Sequence, residues 1–161
     1  MNKKILLPVL LSVCLCLLVA CGDKNPADSG SPAPEEKTAY ETADAQAVLE
    51  SGAFSEDLTE VDLDTAAVLY GIDVNDLAEA AVYRSAGATA EEVAVLKCTS
   101  EEAAGDAKTA IELYVKDREE SYADYLPEEV PKLQNALIDQ KGSTLLLVVA
   151  NDVEAAQAAL N

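Results

Sequence analysis

The chain has 161 residues, half of them hydrophobic, with 30 acidic against 11 basic side chains and a formal charge of −19. That balance excludes a nucleic-acid surface, which needs basic patches, and disfavours direct contact with anionic lipid headgroups. With no histidine, the chain has no Ser-His-Asp or Cys-His arrangement and no histidine-based metal site.

The first stretch reads as a targeting signal. Asn2-Lys3-Lys4 opens it with positive charge, Ile5–Leu18 is an apolar run, and Leu17-Leu18-Val19-Ala20-Cys21 closes it with a small residue before a cysteine. The run is short for a membrane span, which takes about 20 apolar residues, and Pro8 interrupts it. The layout resembles the bacterial lipoprotein signal with its Leu-x-Ala-Cys lipobox. That resemblance implies removal of residues 1–20, lipidation of Cys21 with a diacylglyceryl group and further acyl chains such as palmitate, and a position on the extracytoplasmic face of the cell membrane. Loss of Lys3 and Lys4 with the signal would take the net charge to −21. Cys14 and Cys16 would leave with it and Cys21 would carry lipid, so Cys98 alone would remain and no intramolecular disulfide could form.

Residues 21–40 read as the lipidated cysteine followed by a tether. Between Gly22 and Glu36 no aliphatic side chain exceeds alanine, and Pro26, Pro32 and Pro34 stand among acids, serine and glycine. Such a segment cannot bury enough apolar area to offset the entropy of ordering it. Residues 41–161 read as a single domain, of ordinary size for one core.

Within that domain Ala45, Val48, Leu49 and Phe54 recur at helical spacing, with Gly52 near the end. Leu58, Val61 and Leu63 alternate with acids. Asp64 is placed to cap a short helix, Thr65 to Tyr70, which Gly71 stops. Asp73 to Leu77 reads as a turn. A strand from about Glu79 to Ser85, a Gly-containing connection and a strand Glu92–Cys98 read as an antiparallel hairpin. Ser100 is placed to cap a long helix with Glu101 and Glu102 in its first turn. Its inward stripe is Ala103, Ala107, Ala110, Ile111, Tyr114 and Tyr122. Pro127-Glu128-Glu129 suits a new helix start, which Pro131 should shorten. Ala136–Gln140 and Thr144–Ala150 form a second hairpin around Lys141-Gly142-Ser143. Leu145–Val149 is apolar on both faces, as a covered central strand would be. Asn151 or Asp152 caps a last helix to about Leu160. Strands and helices do not strictly alternate, so the expected fold is α+β: a small, mostly antiparallel sheet built from two hairpins, with helices packed on one face.

Leu63–Ile72, Ser85–Val95, Tyr125-Leu126-Pro127-Glu128-Glu129 and Lys141-Gly142 before the apolar strand form a set. Together they resemble the domain of unknown function 4358, found in lipoproteins of Gram-positive bacteria. The resemblance covers about Leu58 to Leu160. It implies one fold and an envelope location, and supplies no catalytic residue.

No stretch spells out a reaction. Cys98 ends an apolar strand and reads as a small buried hydrophobe. Asp57, Asp62 and Asp64, or Asp73, Asn75, Asp76 and Glu79, are the oxygen-rich groups that could attract Ca²⁺, but Ala78 stands where an EF-hand loop needs glycine and no distal bidentate glutamate is in register. They read as a solvated acidic face, with no metal site and no cofactor. Arg118, Tyr122 and Tyr125 combine a cation with two aromatics near a helix end, a candidate interaction patch. The expected role is therefore a non-enzymatic interaction or accessory module, held to the membrane through Cys21 and meeting an envelope protein. The alternative is capture of a small cationic ligand or metal ion in a negative field.

Overall fold

The structure, a computed structural model, describes residues 37–161 apart from Ala88. Cys21, the signal and the tether before Lys37 lie outside the described residues. In order the elements are α1 (Thr42–Glu50), β1 (Thr59–Val61), α2 (Leu63–Tyr70), a 3₁₀ turn at Val74–Asp76, β2 (Leu77–Arg84), β3 (Glu92–Cys98), α3 (Glu101–Tyr125), a 3₁₀ turn at Pro127–Glu129, α4 (Val130–Gln134), β4 (Leu137–Lys141), β5 (Thr144–Val149) and α5 (Val153–Ala158).

The five strands form one open antiparallel sheet in the order β1-β2-β3-β5-β4, an α+β architecture. Both expected hairpins are present. In the tight β4–β5 turn Gly142 has φ +57°, a left-handed conformation that glycine adopts without steric cost. The β2–β3 pair runs in register from Glu79–Lys97 to Arg84–Glu92, and β3 pairs β5 from Glu92–Val149 to Lys97–Thr144. The segment around Glu60, where no strand was expected, adds the short edge strand β1.

The helices cover both faces of the sheet, not one. Ala94, Leu96, Cys98, Leu145, Leu147 and Val149 pack under α2, α3 and α4. Val93, Val95, Leu146 and Val148 pack with Ala45 and Val48 of α1 and Ala156 of α5. The reason lies in β3 and β5. Consecutive strand residues point to opposite faces, and both strands are apolar at every such position from Val93 to Leu96 and from Leu145 to Val149. A sheet with a single helical layer would leave half of those side chains in water, at about 1.5–3 kcal/mol for each large one.

Local chemistry sets the helix ends. Asp62, two residues before the expected cap Asp64, accepts from Thr65 N at 2.9 Å and starts α2. Gly71 stops α2 with φ +69°. Ser100 Oγ accepts from Ala103 N at 3.0 Å and starts the 25-residue α3. Asp152 does the same for α5 through Ala155 N. Tyr40, assigned above to the tether, belongs to the folded unit. It is 4% exposed and packs beside Val48, and its N–H donates to Thr144 Oγ1 at 2.7 Å. Lys37 also pairs with Asp44 at 2.6 Å. Among the described residues, both cores are built from side chains between Tyr40 and Leu160. Among the described residues no helix is long and apolar enough to cross a membrane.

Candidate functional site

Among the described residues, two acidic side chains at the head of β3 are the most deeply buried charged groups. Glu91 and Glu92 are adjacent, fully buried and directed to different surroundings. Glu91 accepts from Ser55 N, Ser55 Oγ and Lys132 Nζ at 2.9–3.1 Å. Lys132 also reaches Glu129 at 3.0 Å, and Glu129 accepts from Ala90 N at 2.8 Å. This group pins the β2–β3 connection against α4 and the segment after α1. Burial of an ion pair is tolerated only when the remaining lone pairs are satisfied, and here they are.

Glu92 lies on the α2–α3 side. It accepts from Tyr70 OH at 2.5 Å, Tyr114 OH at 2.8 Å and Arg118 Nη1 at 2.5 Å. The Arg118 guanidinium is flanked by the rings of Tyr114 and Tyr122, its carbon 5.3 and 5.4 Å from their centroids. Tyr70 meets Tyr114 edge to face at 5.1 Å, and Tyr122 OH donates to Thr89 O at 2.8 Å. Helical spacing explains the set, since Tyr114, Arg118 and Tyr122 are successive i, i+4 neighbours on α3. Arg84, directly opposite Glu92 in the ladder, adds a second guanidinium whose Nε is buried without a hydrogen-bond partner.

The electrostatics hold these groups in one protonation state. Burial, followed by the neighbouring Glu92 carboxylate, pushes the Tyr70 hydroxyl well above its ordinary range, and the same causes raise Tyr114. Both therefore remain donors to Glu92. The Arg118 guanidinium is raised by Tyr114 and Glu92 in spite of its burial. Burial and then Asp76 push the Cys98 thiol up, so it is held away from the reactive thiolate.

This network floors a cleft of about 450 Å³ between α2 and α3, lined by Val68, Leu69, Ala110, Leu113, Asp117 and Ser121 over Tyr70, Tyr114 and Arg118. Val68 is 84% exposed and Leu113 59%. The polar groups of the floor are spent on Glu92, so the cleft offers mainly apolar surface.

The structure rearranges the sites expected from sequence. Arg118 and Tyr122 are buried parts of the Glu92 network, not a surface patch, because they fall on the inward stripe of α3; Tyr125 alone of the three is exposed. Of the acidic groups, Asp62 caps α2 and Asp73 accepts from Asn75 N and Nδ2 at 2.9 and 2.8 Å. Among the described residues no three histidine, cysteine, aspartate or glutamate side chains are grouped to hold a metal ion. Glu91 and Glu92 were missed. The available signal was an arginine on the inward stripe of α3, seven residues after Ile111, which must find a buried acid.

No curated protein and no solved structure matches the chain. The model of the family described as a domain of unknown function, DUF4358, matches residues 50–150, from the last residue of α1 to the residue after β5, and the chain belongs to that family.

Proposed function

We propose that this protein is a lipoprotein of the Gram-positive type, anchored through Cys21 on the extracytoplasmic face of the membrane, where its domain acts as a non-enzymatic interaction module for an envelope protein. The observation that carries the non-enzymatic part is the saturation of the two buried carboxylates. The oxygens of Glu91 and Glu92 accept from fixed donors, and the tyrosines around Glu92 are held protonated. A general base needs a free lone pair at the reacting proton, and a nucleophile needs activation; these groups supply neither. The anchoring part rests on Leu18-Val19-Ala20-Cys21 after an apolar run. Two or more acyl chains give stable membrane attachment, at about 0.8 kcal/mol per buried methylene.

Two measurements test the two parts. Cells fed a radioactive fatty acid should label the wild-type chain and not Cys21→Ala; label on the alanine variant would overturn the anchor. Cross-linking on intact cells should capture a defined envelope protein with the wild-type chain. Turnover of a small molecule by the purified domain would overturn the module reading.

A further inference from the structure

Among the described residues, four large apolar side chains are strongly exposed: Val68, Val74, Leu113 and Tyr125. Val68 and Leu113 line the same cleft, one on α2 and one on α3. Leu69 and Ala110 continue the apolar wall between them. At 100° per residue, Asp106, Leu113, Asp117, Glu120, Ser121 and Asp124 share the outer, cleft-side stripe of α3. By the same count Lys108 projects away from that stripe, while Lys116 borders it one turn from both Leu113 and Glu120. Across the cleft, Asp64 stands one turn before Val68 on α2. The cleft is thus an apolar trough with acids on both banks. Among the described residues that line it, the one cation is Arg118, which Glu92 neutralises from beneath.

Resting on the interaction-module reading, we propose that the α2–α3 cleft docks a helical segment of the partner protein that presents apolar anchors beside lysine or arginine. The apolar anchors would cover Val68 and Leu113, and the basic residues would meet Asp64, Asp117, Glu120 and Asp124. Helix-in-groove recognition uses this division of labour, with anchors at i, i+3, i+4 and i+7 supplying burial and charges supplying register and approach. A second copy of this chain is the poorer occupant. It would bring acidic banks against acidic banks on molecules that each carry a large net negative charge.

The test uses the chain from Gly22 onward, which keeps every described residue. The probe is a fluorescent 18-residue amphipathic peptide of leucine and lysine. Its comparators are a scrambled peptide of the same composition without an apolar face, and a leucine–glutamate analogue. Wild type should bind the amphipathic basic peptide saturably and at least tenfold more tightly than either comparator. Val68→Ser with Leu113→Ser should lose at least tenfold, while its circular dichroism and melting temperature stay at wild-type values, because both side chains are exposed. Asp117→Asn with Glu120→Gln should weaken binding and flatten its salt dependence. Equal binding by wild type and the serine variant would overturn the proposal in favour of diffuse charge attraction. No saturable binding would overturn it too. Dimers of wild type in analytical ultracentrifugation, converted to monomers by the serine pair, would overturn it in favour of a second copy. Retained cross-linking of the envelope partner by the serine variant on cells would overturn the cleft assignment and leave the module reading standing.

Discussion

Glu92 gathers two tyrosine hydroxyls and one guanidinium around a fully buried carboxylate. Removing its charge strands Arg118 beneath two tyrosine rings with no counter-ion, and breaking one side of a buried pair costs about 3–5 kcal/mol. Glu92→Gln is expected to lose that much in urea denaturation. Glu92→Met with Arg118→Met, Tyr70→Phe and Tyr114→Phe should recover a large share of the loss, because neither a charge nor a hydroxyl deprived of Glu92 is then buried. A single variant within about 1 kcal/mol of wild type would show that Arg118 finds another partner. The tyrosines make a second expectation. Tyr70 and Tyr114 ionise at higher pH folded than unfolded, where the ordinary value is 10.0. Below that value both states hold the proton and stability is unaffected. Above it the unfolded chain releases protons that the folded one keeps, so stability falls as pH rises, by about 1.4 kcal/mol per pH unit for each such group. Urea midpoints should be flat from pH 8 to 9.5 and drop above 10, and Tyr70→Phe should reduce the slope. A slope unchanged by that substitution would contradict the assignment.

The elements are delimited by caps whose removal has a known scale. Ser100→Ala leaves Ala103 N without its acceptor at the start of the helix that carries Tyr114, Arg118 and Tyr122, and should cost about 1 kcal/mol. At the start of the domain the relevant unit is not a helix but the short approach to α1. Tyr40 is buried, donates through its hydroxyl to Asp139 on β4, and lies under Lys141 Nζ at 4.9 Å from its ring centroid. A chain beginning at Lys37 should therefore melt with the chain beginning at Gly22. A chain beginning at Thr42 should melt lower by more than 5 °C, as the loss of one buried aromatic of about 2 kcal/mol implies for a domain of this size. Equal melting of all three would place Tyr40 outside the core.

For the whole molecule, charge is the dominant property. A net charge of −19 in 161 residues makes the compact state work against its own repulsion. Salt screens that repulsion over about 10 Å at 0.1 M. Sodium chloride should raise the melting temperature steadily. Calcium at matched ionic strength should add little, since Asp62 and Asp73 already serve as helix caps. Saturable stabilisation by Ca²⁺, lost on Asp→Asn change in one cluster, would reveal a bound ion and favour the cation-binding reading.

Much of the architecture was legible in residue order because local forces decide it. Ser100, Gly71, Asp152 and Gly142 act on backbone within a few residues of themselves, and the alternation of strand side chains fixes what β3 and β5 must bury. Asp62 in place of Asp64 is an error of one half-turn within the same local rule. Contacts between distant residues were not legible. The edge strand β1 exists because Thr59–Val61 finds β2 more than 20 residues away. The second helical layer exists because α1 and α5, from opposite ends of the domain, meet on one face of the sheet. The same distance hid the candidate site. Glu92 and Arg118 are 26 residues apart, and each alone reads as one more charge on an acidic surface. The spacing along α3 already made Arg118 an inward residue. Only tertiary packing decided that β3 would set Glu92 beneath it, and that Val68 and Leu113 would be left facing water across a cleft, because burial is a property of the assembled layers and not of any one of them.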